Sequence, residues 1–389
     1  MSEGGAPVRI GGPRALRAMN DRAALQALVR RGPMSRIELE QEIGLSKPAA
    51  AELLRRLEEV SLVRRDGHRP SNGPGPNARL WKLNESAGYA AGIDVTSASF
   101  DIAVADLAGD VVSDRKVSSR GAGPDPIPTL RKAVIDAART RGLALSDLNR
   151  AVVGISGSID PVTGLLGYAH HMPRWQGFDV PARLSEALGM PVTVENDVNL
   201  VATDELLRGC ARGYTDVILL WMSRGVAAAV IVSGHLHRGA RGGAGEIDYA
   251  PVTLDGRLLS STIDSNGVLG LAADFGIRGS RAPTVVRRAV AAIDDRAGQG
   301  DADGFLAELA RRVAQALVIA VSLLDPQLVV LAGDIGVAGG DRLADRVTDR
   351  LHRLVGHRPE VRPATGRDHA VRHGAVDAAV RQLQEEVFG

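Results

Sequence analysis

Cysteine is nearly absent from this 389-residue chain. The single Cys210 excludes an internal disulfide and any cysteine-rich zinc site, so a cytoplasmic setting is the default expectation. Aromatic residues make up only 3%, which leaves the core to Ala, Val and Leu. No stretch approaches the roughly 18 apolar residues of a membrane span, and the first residues lack the apolar centre of a signal peptide. Lysine is scarce beside arginine, which points to a GC-rich coding sequence and says nothing of function. What remains, 44% hydrophobic and 24% charged, is a globular composition long enough for two or three domains with ample buried core.

The net charge of +1 is unevenly spread. Residues 1–84 carry 15 Lys and Arg against 9 Asp and Glu, and the rest carries 32 against 37. A basic front on a mildly acidic body points to an anionic partner for the front. After an arm at 1–19, expected to be flexible, Leu25, Leu28 and Val29 recur at helical spacing, and Gly32-Pro33 ends that helix. Ser35 with Glu38 three residues on forms a capping box for a second helix with Ile37, Leu39 and Ile43 on its inner face. Gly44-Leu45-Ser46 is a tight turn, Ser46 an N-cap, and Pro48 lies in the first turn of a third helix through Leu53, Leu54 and Leu57.

Strands at 62–65 and 80–83 then flank a Gly- and Pro-rich wing, 66–77, lined by Arg64, Arg65, Arg69 and Arg79. Three short helices and a wing spell a winged helix-turn-helix over 20–84. Its candidate DNA contacts are Arg36, Ser46, Lys47, Pro48, Ala49, Ala50, Arg55, Arg65, Arg69 and Arg79. The third helix would offer its first residues to a major groove, and the arginines suit phosphates and narrow minor grooves. A winged helix used for protein contacts or dimerisation has the same pattern.

From residue 85 onward, strands alternate with helices, as in an α/β fold. Strands are expected at 89–95, 100–106, 111–112, 151–155, 192–194, 217–221, 227–232, 236–237 and 328–331. Helices are expected at 130–141, 198–208 and 305–324, the last ended by Asp325-Pro326. In this order the chain carries GPMSRIELEQEIGLSKPAAAELLRRLEEVSLV, GISGSIDPVTG, VENDVN, GHLHRGARGGAGEI and LLDPQLVVLAGD.

That series of segments resembles the transcriptional-regulator branch of the ROK family (repressors, open reading frames and sugar kinases), over nearly the whole chain. The resemblance implies a two-lobed actin-like, sugar-kinase-like domain over 85–389 with a sugar cleft between the lobes. It also implies operator binding as a homodimer or homotetramer, set by a sugar, a sugar phosphate or a partner protein. The effector contacts carried over are Gly157, Ser158, His170, His171, Asn196, Asp197 and Glu246. Asp197 matches the general base of the kinases. A sugar needs fixed donors and acceptors whose pairing fails with the wrong epimer, and Asn196, Asp197 and Glu246 supply such groups. An Asn-Asp pair after a strand is equally a turn and helix cap, and the two histidines fit exposed loop positions.

The chain departs from the kinase pattern where ATP would sit. The first phosphate loop of active relatives, Asp-x-Gly-Gly-Thr-Lys, is here Asp94-Val95-Thr96-Ser97-Ala98-Ser99. The second, Gly-Thr-Gly-x-Gly, has become Ser223-Arg224-Gly225-Val226-Ala227, and the third reads Ala332-Gly333-Asp334. Lost glycines keep backbone N–H groups away from phosphates, and a carboxylate repels them. The family's zinc cluster is missing too: Tyr249 stands at its His position and no cysteine follows. The reading is therefore a sugar-controlled DNA-binding regulator without catalysis, cofactor, metal or membrane contact. Its rivals are a bifunctional sugar kinase with a DNA-binding head and a ligand-blind regulator governed by a protein partner.

Overall fold

The computed structural model describes residues 12–70, 77–121, 123–169, 171–248, 250–251, 258–295 and 299–389. Helix α1 (Pro13–Arg31) starts with proline, whose missing N–H is tolerated in a first turn, and Gly32 follows it at positive φ. It begins well ahead of the expected Asn20, so 13–19 is helix and not arm, while 1–11 lie outside the described residues. A two-residue strand β1 (Met34–Ser35) leads into α2 (Arg36–Ile43). There Ser35 Oγ accepts from Glu38 N at 3.3 Å and Glu38 Oε2 accepts from Ser35 N at 2.7 Å, the reciprocal cap read from the sequence.

Ser46 stands at the N-cap of α3 (Lys47–Glu59), but its hydroxyl makes no capping bond. Leu53, Leu54 and Leu57 pack with Leu25, Leu28 and Leu39. Ile37, expected on the inner face of α2, is instead exposed. Strands β2 (Val63–Arg69) and β3 (Ala78–Leu83) form an antiparallel hairpin with β1 on the outer side of β3. The hairpin tip, 71–76, lies outside the described residues.

Two five-stranded sheets follow. The first contains β4 (Tyr89–Val95), β5 (Ser99–Asp106), β6 (Val111–Ser118), β7 (Leu148–Ile155) and, later, β10 (Val192–Asn196), in the order β10-β7-β4-β5-β6. Helix α4 (Ile127–Arg139), the ribbon β8 (Ser158–Ile159) with β9 (Leu166–Gly167), and α5 (Val180–Leu188) fill the connections. Strand β5 is buried along nearly its whole length, as a strand covered on both faces must be. Phe100 meets Trp175 edge to face, with centroids 6.4 Å apart, in the core on one side.

Helix α6 (Asp197–Arg208) leaves the end of β10 and carries the chain to the second sheet. That sheet comprises β11 (Val217–Met222), β12 (Val226–Val232), β13 (His235–His237), β14 (Leu328–Ala332) and β15 (Glu360–Pro363), ordered β13-β12-β11-β14-β15. Its helices are α7 (Ser260–Ile263), α8 (Ser265–Asp274), α9 (Ala282–Asp294), α10 (Gln299–Leu324) and α11 (Gly333–Leu354), the last broken at Gly340. Finally α12 (Ala370–Val387) returns to pack on β4, β5, β7 and α6.

Two helices therefore serve more than one layer. Val198, Val201 and Ala202 of α6 share a core with Val217, Leu219, Ala229 and Val330 of the second sheet. Val376, Val380 and Leu383 of α12 share one with Ala103 and Ala105 of the first sheet and with Leu54 and Leu83 of the N-terminal segment. None of the helices of the described residues is long and apolar enough to cross a membrane.

Candidate functional site

The ends of β7 and β10, which pair in parallel, bring Gly157 and Asn196 together at one edge of the first sheet. Asn196 is the N-cap of α6: its Oδ1 accepts from Val198 N at 2.8 Å and Asn199 N at 3.2 Å. Its Nδ2 donates to Gly157 O at 3.0 Å and Glu246 Oε1 at 3.3 Å. The helix-cap reading of the Asn-Asp pair thus holds. The correction is that Asn196 has no spare acceptor, so a hydroxyl reaching it must replace Gly157 or Glu246.

Asp197 accepts from Val198 N at 2.9 Å. Burial raises its carboxyl pKa, opposed by a hydrogen bond from Ser156 and the charge of His171. Asp94, at the end of β4, is pushed up to about 7 by burial, then by repulsion from Asp197 and Asp101. Glu246 also rises to about 7, from burial and from repulsion by Asp197 and Asp248. Three half-buried carboxyl groups thus converge on one cleft whose own charge repels further ionisation. Asp94 and Glu246 therefore switch between accepting and donating near neutral pH, which suits a ring of hydroxyls.

Glu246 comes from the second sheet. Gly245 has φ +91°, and a Cβ there would lie 1.9 Å from the Ala228 carbonyl oxygen. Only glycine lets this segment lie against β12, where Gly245 O accepts from Ala228 N at 2.8 Å. Asp248 ties the same loop to Val226 N at 3.0 Å. From its start, Arg238 donates Nε–H to Glu195 Oε2 at 2.6 Å, and Arg241 lies 3.4 Å from Asp160. Glu195 is buried; its Oε1 accepts from Asn199 Nδ2 at 2.8 Å and Asn196 N at 3.0 Å. The loop of the second lobe therefore clasps the first through Arg238, Arg241 and Glu246.

Gly157, Asn196, Asp197 and Glu246 come together as expected, and His171 is exposed nearby. Ser158 is buried in the β8–β9 ribbon instead of facing the cleft. His170 lies outside the described residues, as does Tyr249. Sequence reasoning missed Ser156, Glu195, Arg238 and the acid role of Asp94. Glu195 stands inside the same Val-Glu-Asn-Asp segment, but nothing local says that its partner lies 43 residues away.

The segment 94–99, the counterpart of the first phosphate loop, is hydrogen-bonded to itself. Thr96 Oγ1 accepts from Ser99 N at 2.9 Å and Ala98 N at 3.3 Å, and Thr96 N donates to Ser99 O at 2.9 Å. The N–H groups of Thr96, Ala98 and Ser99 are thus used inside the turn. Arg224 is exposed in the second loop, and Asp334 is exposed in the first turn of α11, where a phosphate would otherwise meet the positive end of the helix. Among the described residues no cluster of His, Cys, Asp or Glu is arranged to hold a metal. Burial pushes the Cys210 thiol up to about 12, which makes it inert.

On the N-terminal segment, Ser46, Lys47, Pro48 and Ala49 are exposed at the start of α3. Ala50, expected beside them, is buried against the core and is withdrawn as a contact, because its methyl faces inward on the helix. Arg55 pairs with Glu52 and Glu59, Arg65 with Glu58, Arg69 with Glu38, and Arg36 with Glu40. Arg79 is exposed, and no acidic partner is described for it or for Lys47.

The family described as the ROK family matches residues 90–382. The xylose repressor of Bacillus subtilis (strain 168) is 25% identical over 246 residues, 62% of this chain and 62% of that protein's length. The DNA-binding transcriptional dual regulator NagC of Escherichia coli (strain K12) is 24% identical over 354 residues, 85% of this chain and 84% of that one. A solved ROK family transcriptional regulator, a homologue of the E. coli MLC protein, superposes with a TM-score of 0.72 at 18% identity, covering 96% of this chain and 98% of that one. Sugar kinases are among the relatives as well. With the family matched over most of its length and the sugar-kinase fold reproduced in both lobes, this chain belongs to the ROK family.

Proposed function

We propose that this protein is a DNA-binding transcriptional repressor of carbohydrate genes, whose operator binding is set by a sugar or sugar phosphate in the cleft between its lobes. The observation that carries the reading is the join of two parts. A winged helix-turn-helix, 13–84, exposes the first turn of α3, and behind it a ROK body, 85–389, keeps its hydroxyl-binding carboxylates. Ser46, Lys47, Pro48 and Ala49 enter a major groove; Arg65, Arg69 and Arg79 follow the flanking phosphates once the acidic partners of the first two are displaced.

In the cleft, ligand hydroxyls engage Asp197 and Glu246, with His171 at the rim. Because Glu246 belongs to the second lobe and Asp197 to the first, a bound ring reinforces the clasp made by Arg238. Lobe closure then reaches the head through α12, whose Val380 and Leu383 share the core of Leu54 and Leu83. In a homodimer the two heads must match half-sites about one DNA turn apart, so a small rotation weakens binding.

The protein does not phosphorylate its ligand on this reading. Asp197 keeps the position of a general base, but Thr96 closes the first phosphate loop and Asp334 opposes phosphate at the third. The test is a gel shift on DNA upstream of its own gene with a panel of sugars and sugar phosphates, run beside a coupled ATP assay. A discrete shift, altered by one sugar, with no ATP turnover is the expected result. Absence of any specific shift at low salt, where phosphate contacts are strongest, overturns the regulator. Turnover replaces it with the bifunctional kinase.

A further inference from the structure

The β8–β9 ribbon brings an exposed aromatic ring to the rim of the cleft. Gly157 lets the ribbon return close to its own start: at φ +106°, a Cβ there would lie 2.5 Å from the Gly167 carbonyl oxygen and 2.8 Å from Ala169 Cβ. Tyr168 stands between Gly167 and Ala169, and Gly157 O is the group that accepts from Asn196 Nδ2. The tyrosine is therefore anchored in the first lobe, close to the polar end of the site. Its ring reaches the other lobe: a Cβ on Gly243 would lie 3.8 Å from Tyr168 Cε2. Gly243 O in turn accepts from Glu246 N at 3.3 Å. The ring thus lies where the ribbon of one lobe meets the loop of the other, beside the turn that presents Glu246.

Packing does not account for a tyrosine at this position. Tyr168 is 57% exposed, and among the described residues no group pairs with its hydroxyl. Its backbone is in the left-handed region, at φ +54°, which glycine adopts readily and a bulky side chain does not. Trp175, seven residues on, is by contrast buried edge to face against Phe100. An exposed ring held in a strained conformation lowers stability without gaining burial. Such positions cluster where a ligand makes use of them.

We infer that Tyr168 is a ligand-contact residue whose ring stacks on the C–H face of a cyclic sugar and sets the preference of the cleft for pyranoses. A pyranose carries hydroxyl groups around its edge and a patch of C–H groups on at least one face. Asp197 and Glu246 answer the edge, but neither answers the face. A tyrosine offers the face a flat apolar surface and keeps its hydroxyl in water. Small-molecule sites combine these two kinds of contact. Because Tyr168 belongs to the first lobe and rests against Gly243 of the second, the stack also resists opening of the clasp. An acyclic polyol with the same hydroxyls has no such face. This inference rests on the proposed reading of the cleft as an effector site and names the class of sugar it takes.

The test measures thermal stabilisation and calorimetric affinity of the full chain. Its probes are D-glucose, D-galactose, D-xylose and N-acetyl-D-glucosamine, each beside its alditol, with the hexoses also as 6-phosphates. A ligand bound only by the folded state raises its melting temperature. At least one ring sugar, free or phosphorylated, should bind wild type, and its alditol should bind at least about tenfold more weakly. Tyr168→Phe should stay within about threefold of wild type, since it keeps the ring face, whereas Tyr168→Ala should lose about tenfold, the scale of one aromatic stack. Tyr168→Gly relieves the positive φ. It should lose as much affinity while keeping or raising the melting temperature of the unliganded protein.

Full ring-sugar affinity in Tyr168→Ala, or an alditol that binds as well as its sugar, overturns the inference. So does a Tyr168→Gly protein that melts earlier without ligand, since the ring would then serve the fold. These results leave the effector site standing if Glu246→Gln still abolishes the response. A wild type stabilised by none of the ring sugars removes the site and the inference together.

Discussion

At the end of β4, Asp94 shows how burial writes chemistry into a single carboxyl group. Its pKa stands near 7 because desolvation penalises the charge, and Asp197 and Asp101 add repulsion. The folded protein therefore holds this proton more tightly than the unfolded chain. Stability from this group is gained as pH falls through about 7 and levels off below the ordinary carboxylate range; at pH 8 the full penalty is present. Asp94→Asn removes the charge and should stabilise the protein by about 1–3 kcal/mol at pH 8. The gain should shrink steadily toward pH 4, measured by urea unfolding across that range. A gain that grew as pH fell would mean that an unrecognised cation holds Asp94 charged. Asn196 teaches the complementary lesson. Its place in the Val-Glu-Asn-Asp segment was legible because strand, cap and helix are adjacent in sequence. That its oxygen is consumed by the cap emerged only with the bond lengths.

Among the elements, the loop after β13 decides the site. It is irregular, yet Gly245 fixes it against β12 and so aims Glu246 at Asn196. Gly245→Ala combines a strained φ with a clash against the Ala228 carbonyl, and should cost about 2–4 kcal/mol of local stability. Thermal stabilisation by the effector sugar should disappear, while operator binding without sugar is retained. Retention of the sugar response would show that Glu246 is dispensable. The capping box of α2 and the strands of both sheets other than β15 were legible because their signals are periodic or span three or four residues. Helices α5, α7, α8, α9, α11 and α12 and strand β15 were not marked in the sequence; α7 and β15, four residues each, are too short to show a period, whereas Leu343, Val347 and Leu351 of α11 do recur at helical spacing.

For the whole molecule, the two lobes meet through the apolar core around α6 and through charged contacts beside it. Arg238 reaches Glu195 from the other sheet, and Glu195 in turn orders Asn196 and Asn199. Directly beside Asp94 in the register, Asp101 of β5 holds His369 and Arg372 where the chain re-enters the first lobe. Arg238→Ala leaves buried Glu195 without its cation, a loss of about 1.5–3 kcal/mol for a charged hydrogen bond. The lobes should separate, seen as a larger radius in X-ray scattering. Sugar affinity should fall about tenfold or more, because closure must then be driven by the ligand alone. An unchanged radius with unchanged affinity would assign the closure to the Asn196–Glu246 bond instead.

The sequence by itself determined the N-terminal helices, the family motifs in their order, the loss of glycines from the phosphate loops and the absence of a cysteine site. Each of these is a local fact, carried by a few neighbouring residues. Tertiary structure alone decided that Thr96 caps its own loop, that Ser158 and Ala50 turn inward, and that Asp94, Asp197 and Glu246 share one cleft. It also decided that α12 lies in one core with the head and that Ile319 and Leu323 face water. Those outcomes depend on which surfaces two sheets and their helices bury against each other. Periodicity marks an apolar face on a segment but does not name its partner, and residues as far apart as Asp101 and Arg372 meet only when α12 has packed on β5.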